Sequence, residues 1–175
     1  MPSARFHHYT REFGVTDAML ADRVFVEYDE ASSLVVVAVD ADGREHQLAP
    51  EAAAAWQRMQ AAAAADGVAL VVVSAFRSIE RQAGIVRRKL AAGQSIAQVL
   101  SASALPGCSE HHTGRAVDIA SPGGPVLQQS FESTAAYAWL QGHAADFGFR
   151  LSFPRGNPFG FMFEPWHWCH HPVRR

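Results

Sequence analysis

The chain has 175 residues, a length that suits one domain, and its 49% of apolar and 18% of charged residues are ordinary for a globular protein. A formal net charge of −2 provides no general attraction to nucleic acid or to an anionic membrane, so neither partner is predicted. No apolar stretch reaches the roughly 18 to 20 residues that a membrane-spanning helix needs. The first residues also lack the apolar segment of a secretory signal, so none is predicted in the chain as given.

The first half of the chain predicts two strands with a helix between them. Residues 34–39 (LVVVAV) are rich in valine and precede the turn sequence DADG at 40–43, a pattern typical of a strand and its end. A helix is predicted from Pro50 to about residue 66, because proline suits the first helical turn and Gly67 follows as a stop. The apolar run 68–74 (VALVVVS) predicts a buried strand.

The middle of the chain predicts two helices and a further strand. A helix is predicted over 78–92, with Ser78 as its N-cap and a glycine directly after its end. Residues 95–103 predict a short amphipathic helix. Residues 115–120 alternate as in a strand, which places Asp118 on a face that is otherwise alanine.

The last part of the chain predicts a helix over 132–147 and two strands, 149–153 and 163–169, around turns rich in proline, glycine and asparagine. Because no regular βαβ rhythm is present, the predicted fold class is α+β: a single domain with a central, largely antiparallel sheet and helices packed on it. The expected limits are 1–175 for the domain, 68–170 for its motif-bearing core and 1–60 for an N-terminal portion without a recognised motif.

Asp118 is the first candidate for chemistry. It stands between Val117 and Ile119 in the predicted strand, so we expect it to be buried, and a buried carboxylate needs a cation or several hydrogen-bond donors. His111 precedes it by seven residues, and the intervening glycine lets the chain bend back. Taken alone, a turn-facing or ion-paired aspartate is an equally good interpretation of Asp118, and a lone histidine is more often a structural residue than a ligand.

Glu164 and His167 form a second candidate pair. Residues three apart on a strand point to opposite faces, so the two share a site only if Pro165 bends the backbone between them. Two imidazoles and one carboxylate would make a three-ligand zinc site with an open position for water, and Glu164 could then act as a base. Spacing leaves other histidines as rival ligands: His112, His143, His170 and His171.

Three motifs in this sequence resemble those of one enzyme family. SEHHTGRAVDIA (109–120) is similar to the Ser-x-His-x-x-Gly-x-Ala-x-Asp motif of the VanY-type zinc D-alanyl-D-alanine carboxypeptidases, which are LAS or hedgehog-like metallopeptidases. EPWHW resembles their Glu-Pro-Trp-His motif. SAFRSIERQ resembles their Ser-x-Tyr-Arg-Ser…Gln segment, with Phe76 in the tyrosine position. The motifs occur in the family's order and span residues 74–168.

The resemblance implies a metal site and a base. Matched residue by residue, His111, Asp118 and His167 would bind one zinc ion, and Glu164 would be the catalytic base. The implied fold is that of the hedgehog and D-Ala-D-Ala peptidase group.

The resemblance also implies residues that contact substrate. Arg77 matches the family arginine that holds the substrate and stabilises the developing oxyanion; without the motif, a surface salt bridge would be the simpler interpretation. Ser109 and Gln82 match positions that line the substrate pocket, although Gln82 alone would suit a solvated helix face. Trp166 is expected to pack beneath the site as a core aromatic.

The implied reaction is hydrolysis of the terminal D-Ala-D-Ala bond of peptidoglycan stem peptides, which would place the protein in the cell envelope. Because no secretory signal is predicted, a cytoplasmic protein and a shortened chain stay open as alternatives. Two related activities stay open, an L,D-carboxypeptidase and a peptidoglycan endopeptidase of the lysis type. A non-catalytic zinc-stabilised module that binds cell-wall peptide or a protein is the alternative from another class. The presence of Glu164 favours an enzyme, because a structural zinc site needs no base.

The sequence departs from the family pattern near its end. VanY-like chains commonly continue after the aromatic that follows Trp-His with Arg-Tyr, whereas here Cys169, His170 and His171 follow. The two histidines at 170 and 171 are expected to be exposed. Cys108 and Cys169 each lie close to a motif, and both a disulfide and two unpaired thiols remain open.

Overall fold

In the computed structural model, which describes residues 2–171, helices and strands alternate in mixed order. The strands are Val35–Val39 (β1), Glu45–Leu48 (β2), Val71–Ser74 (β3), Ala116–Ala120 (β4), Phe149–Leu151 (β5) and His167–His170 (β6). The α-helices are Ala4–Glu12 (α1), Asp17–Leu20 (α2), Pro50–Ala65 (α3), Ile79–Ala91 (α4), Ile96–Leu100 (α5) and Ala135–His143 (α6). Short 3-10 helices cover Glu110–Thr113, Gln129–Ser133 and Ala144–Phe147.

A four-stranded antiparallel sheet in the order β3-β4-β6-β5 forms the centre of the molecule. All five residues of β4 are buried, because this strand has neighbours on both edges and packing on both faces. A separate hairpin, β1-β2, turns through residues 40–43, where the Asp40 carboxylate accepts hydrogen bonds from two backbone N–H groups. The predicted fold class, α+β in a single domain with a largely antiparallel sheet, is confirmed.

Helix α3 covers one side of the structure, as the sequence predicts. Pro50 occupies its first turn, and Gly67 follows its end with a φ of 77°. Its small alanines let Trp56 and Met59 reach full burial against the sheet and α6. The main core therefore lies between α3, the central sheet and α6.

A second apolar cluster lies on the other side and includes the N-terminal portion. Its buried members come from α1, α4, α5 and the adjoining loops: Phe6, Tyr9, Phe13, Ala83, Val86, Val99, Leu100 and Leu105. Ser78 caps α4 by accepting a hydrogen bond from the Arg81 N–H at 3.1 Å, as predicted. Residues 1–60, which carry no recognised motif, thus supply α1 as a packing partner of α4.

The prediction of one continuous helix over 132–147 is wrong. Thr134 is extended, with φ −90° and ψ 155°, and its hydroxyl accepts a hydrogen bond from the Tyr137 N–H, so α6 begins only at Ala135. A 3-10 helix follows His143 and ends at Gly148, whose φ is 80°. Side-chain capping by threonine therefore competes with continuation of the helix.

The predicted strand over 163–169 is also too long. Pro165 has no N–H to give to a sheet, and the His167 N–H instead donates to the Glu164 carbonyl at 3.0 Å, which closes a turn. Strand β6 consequently begins at His167, and β5 ends at Leu151 rather than at residue 153. Among the described residues, no helix has both the length and the apolar character needed to cross a membrane.

Candidate active site

Strand register brings the candidate metal ligands together. Asp118 in the middle of β4 is paired with Ser74 of β3 on one side and with His167 of β6 on the other. Directly paired residues of adjacent antiparallel strands place their side chains on the same face. The aspartate and the histidine therefore meet although 49 residues separate them in the chain.

His111 reaches the same place from the 3-10 helix that precedes β4. The chain bends back at Gly114, whose φ is 65°, and a Cβ there would lie 2.8 Å from the backbone nitrogen of Ala49. Only glycine fits this left-handed turn and the close approach of the neighbouring chain. The turn lets His111 and Asp118 face each other across seven residues.

His111, Asp118 and His167 form a compact buried cluster. The His111 Nε2 lies 3.2 Å from Oδ2 of Asp118, and the His167 Nδ1 lies 3.0 Å from Oδ1. The two imidazole ring centroids are 4.9 Å apart and nearly perpendicular. One potential ligand atom from each of the three residues lies within 4.8 Å of the other two.

Each imidazole of the cluster has an inner nitrogen, which faces Asp118, and an outer nitrogen, whose partner determines which of the two carries the proton of a neutral ring. The His111 Nδ1 lies 2.8 Å from the carbonyl oxygen of Ala75, and the His167 Nε2 lies 2.9 Å from a carboxylate oxygen of Glu110. Because these oxygens can only accept, the outer nitrogens carry the protons. When the rings are neutral, as metal binding requires, the inner nitrogens and the Asp118 carboxylate are three acceptors that suit a divalent cation such as zinc.

The electrostatics of the cluster favour a positive charge at its centre. Burial lowers the pKa of His111. Burial would raise the pKa of Asp118, but the charges and hydrogen bonds of His111 and His167 outweigh it and hold that pKa well below its usual range. Burial also acts to lower the pKa of His167, yet its bonds to Asp118 and Glu110 raise it to about 10. The two carboxylates thus attract a cation to this position.

Glu164 lies beside the cluster because of the turn at Pro165. Its Oε2 is 4.0 Å from the His167 Nδ1, and its backbone N–H donates to the Phe153 carbonyl at 3.1 Å. Burial raises the pKa of Glu164 to about 7. The backbone bend at Pro165, without which Glu164 and His167 could not share a site, is therefore present.

Arg77 extends from the loop after β3 towards the cluster. Its Nη1 donates to Gln82 Oε1 at 2.8 Å and its Nη2 donates to Ser74 Oγ at 3.1 Å. The Nη2 also lies 3.9 Å from Oδ2 of Asp118, and 18% of the side chain is exposed. The guanidinium is therefore held in a fixed orientation inside the site rather than in a surface salt bridge.

Gln82 does not have the position that the family pattern implied. It is fully buried and lies behind Arg77, where its Nε2 donates to the Ala104 carbonyl at 2.7 Å while its Oε1 accepts from Arg77. It is neither a solvated helix residue nor part of the cavity wall. Both ends of its amide have a partner within the protein, so it orients the arginine and one loop.

A cavity of about 330 Å³ opens over the cluster. Ser109 and Trp166 both line it; Ser109 also receives the His111 N–H, and Trp166 belongs to the main core as well. Lys89 lines the same cavity and donates to Ser103 Oγ at 2.6 Å. Sequence reasoning missed Lys89, although it follows Gln82 by seven residues and so shares a face of α4.

Two rival histidines are excluded as ligands of this cluster by their own partners. The Nδ1 of His112 lies 2.6 Å from the Arg77 carbonyl, and its Nε2 accepts from the Gly107 N–H. His170 is buried, not exposed as expected, because β6 directs it to the face opposite His167, where it packs on Phe149 at a ring distance of 5.2 Å.

The two remaining rival histidines and the two cysteines all lie outside the cluster with Asp118. His143 and His171 are exposed, and neither belongs to the cluster with Asp118. Cys108 and Cys169 are both free, so the disulfide that the sequence left open is not formed.

A histidine–aspartate–histidine cluster beside a buried glutamate and a fixed arginine is the arrangement of a metallopeptidase, and the comparisons agree. Residues 45–173 match the family model described as VanY, D-alanyl-D-alanine carboxypeptidase. The chain belongs to this family. It is 36% identical over 146 residues to the putative carboxypeptidase YodJ of Bacillus subtilis, covering 79% of this chain and 53% of YodJ. It is 35% identical over 119 residues to a D-alanyl-D-alanine carboxypeptidase of Enterococcus faecalis, covering 61% and 42%.

Solved structures share the fold. The LD-carboxypeptidase LdcB superposes with a TM-score of 0.71 at 34% identity, over 81% of this chain and 69% of that one. A variant of the vancomycin-resistance D,D-pentapeptidase VanY in complex with Zn(II) gives 0.63 at 28% identity, over 84% and 86%. VanYB in complex with D-alanine-D-alanine gives 0.63 at 28%, over 85% and 81%. The predicted family, the hedgehog-like peptidase fold and the metallopeptidase class are confirmed, and the chain spans about half the length of the curated relatives it matches.

Proposed function

We propose that this chain is a zinc-dependent carboxypeptidase that removes the C-terminal D-alanine from peptidoglycan stem peptides. The observation that carries the proposal is the convergence of His111, Asp118 and His167 at one point of a cavity that also holds Glu164 and two cationic side chains. A structural metal site would be closed by a fourth protein ligand and would need neither a base nor a cavity.

His111, Asp118 and His167 are the proposed ligands of one zinc ion. Their inner nitrogens and carboxylate oxygens form the donor set, and three protein ligands leave a further position open. Bound there, zinc would supply a Lewis acid that polarises a carbonyl and lowers the pKa of a water molecule to about 7. The bonds of the outer nitrogens to Ala75 and Glu110 keep both rings in the orientation that binding requires.

Glu164 is the proposed general base. Its carboxylate lies in the cavity wall within 4.0 Å of a ligand nitrogen, and the turn at Pro165 holds it there. A carboxylate in this position can take a proton from the attacking water and deliver it to the amine of the leaving D-alanine. That single group would then serve both proton transfers of the hydrolysis.

Arg77, Lys89 and Ser109 are the proposed substrate contacts. The Arg77 guanidinium is fixed by Gln82 and Ser74, so its donors are preorganised for the oxygen that becomes negative as the peptide bond is attacked. Lys89 places a second cation in the same cavity, suited to the terminal carboxylate of the substrate. A cation for that carboxylate favours a carboxypeptidase over an endopeptidase.

The proposed bond is the one between two terminal D-alanines. The family description and the D-Ala-D-Ala complex of the similar VanYB support it. An L,D-carboxypeptidase, which acts on the tetrapeptide stem, is the second candidate, supported by the TM-score of 0.71 to LdcB.

Either substrate would place the protein in the cell envelope. We propose that 1–175 act as one peptidase domain with its motif-bearing core at 68–170.

Mass spectrometry of stem peptides tests the proposal. The zinc-loaded protein is incubated with pentapeptide, tetrapeptide and cross-linked muropeptides, with a chelated sample as control. We expect loss of one alanine from the pentapeptide only. Loss of alanine from the tetrapeptide would establish the second candidate, internal cleavage an endopeptidase, and no metal-dependent cleavage of any stem would contradict the proposal.

A further inference from the structure

A second group of potential metal ligands lies on the other side of His167. Strand β6 alternates between two faces, so Cys169 points to the same side as His167, and the next residue of that face is His171. The His171 N–H continues the ladder by donating to the Gly148 carbonyl at 2.8 Å. The sequence H-x-C-x-H at 167–171 therefore presents three metal-binding side chains on one face of β6 and of its continuation.

Glu110 faces this row from the 3-10 helix. One of its carboxylate oxygens lies 2.9 Å from the His167 Nε2. One potential ligand atom each from Glu110, Cys169 and His171 lies within 4.8 Å of the other two. Cys169 is buried and 12% of the Glu110 side chain is exposed, whereas His171 is exposed, which gives solvent access to the group from one side.

We propose that Glu110, Cys169 and His171 form a second metal site that takes zinc or a similarly thiophilic divalent ion. A thiolate, an imidazole and a carboxylate are the three ligand types that zinc uses in proteins. The sulfur selects against magnesium and calcium, which prefer oxygen ligands alone. On binding, the sulfur bonds to the metal and the thiol proton passes to solvent.

The second site shares no ligand with the first one but touches it. Glu110 connects the two, because the same carboxylate that would bind the second ion receives the His167 N–H. The cysteine also stands where the sequence departs from the common VanY pattern. A thiolate distinguishes the two sites chemically, since the cluster around Asp118 contains no sulfur.

Cobalt binding tests the second site directly. The protein is first given one equivalent of zinc and is then titrated with Co²⁺, which develops a near-ultraviolet thiolate-to-metal charge-transfer band only when a cysteine binds it. We expect this band in the wild type and none in Cys169→Ser. His171→Ala should require at least about tenfold more cobalt for half-saturation, because even indirect partners of a metal cost about 10- to 100-fold in affinity.

Three matched variants decide what the band reports. Cys108→Ser removes the other thiol and His143→Ala removes another exposed histidine, and both should keep the wild-type titration. His111→Ala, titrated with cobalt without the preceding zinc, lacks a ligand of the first cluster and should keep the band, which separates this proposal from the zinc carboxypeptidase itself. No band in the wild type at saturating cobalt, a band that persists in Cys169→Ser, or one that disappears in Cys108→Ser would overturn the proposal.

Discussion

At the scale of single residues, the site depends on groups that never face the substrate. Gln82 is the clearest case: it lies outside the cavity, yet its amide oxygen accepts from Arg77 and its amide nitrogen holds the Ala104 carbonyl. A long arginine side chain has many rotamers, and a buried partner selects one of them. The residue is therefore a positioning residue for Arg77.

Truncating this glutamine should impair turnover without removing the metal. Gln82→Ala removes the donor to the Ala104 carbonyl and releases the arginine, and the loss of these two hydrogen bonds costs about 1–3 kcal/mol of the free energy of unfolding. We expect a lower kcat with unchanged zinc content, measured by steady-state kinetics and metal analysis. Gln94→Ala, an exposed glutamine after the same helix, is the control and should change neither quantity. An unchanged kcat in Gln82→Ala would refute the positioning role.

The same scale shows what the sequence could and could not predict about the site. Motif resemblance indicated His111, Asp118, His167 and Glu164, and the structure brings all four together. Glu110 was not indicated, because its role depends on a contact with a residue 57 positions away. Side chains that act through such distant partners leave no local pattern in a sequence.

At the scale of elements, two turns decide whether the site can form. The turn before β6 brings Glu164 to the same side as His167, and the left-handed turn at Gly114 returns the chain from the 3-10 helix into β4. Proline and glycine are strong local signals, so both bends were predictable from the sequence. The helix break at Thr134 was not, because a threonine can stand inside a helix as well as at its N-cap.

Replacing Gly114 should therefore cost more than replacing a glycine in open space. Gly114→Ala adds a methyl group 2.8 Å from the Ala49 nitrogen at a φ of 65°, so we expect a loss of about 1–3 kcal/mol and weaker zinc binding. Gly67→Ala has a φ of 77° with nothing within 4 Å and is the matched control. Chemical denaturation measures the free energy of unfolding of both variants, and a zinc titration measures their affinity for the metal. Equal losses would show that close packing at Gly114 is unimportant.

At the scale of the whole molecule, the central sheet connects the site with the two apolar cores. The three metal-binding side chains come from β4, β6 and the 3-10 helix Glu110–Thr113, and their carboxylate and imidazoles are already assembled in the folded chain. The unfolded chain cannot hold these groups together. A metal that binds the native state should therefore stabilise the whole domain.

Zinc should accordingly raise the melting temperature. A free concentration a hundred times the Kd contributes about 2.7 kcal/mol, which for a domain of this size corresponds to about 5–10 °C. Thermal unfolding with zinc and with a chelator measures the shift. His111→Ala should show a smaller shift than the wild type, whereas His143→Ala should match it. A wild-type melting temperature that does not respond to zinc would rule out a preformed metal site.

The central claim is that Glu164 is the base of a zinc carboxypeptidase, and one paired measurement tests it most directly. Wild-type protein and Glu164→Gln are loaded with zinc, analysed for metal content and incubated with pentapeptide stem, and the release of D-alanine is followed by mass spectrometry. The account predicts equal zinc content and a rate about 100- to 10,000-fold lower in the variant. Release of D-alanine by zinc-loaded Glu164→Gln at the wild-type rate would contradict it.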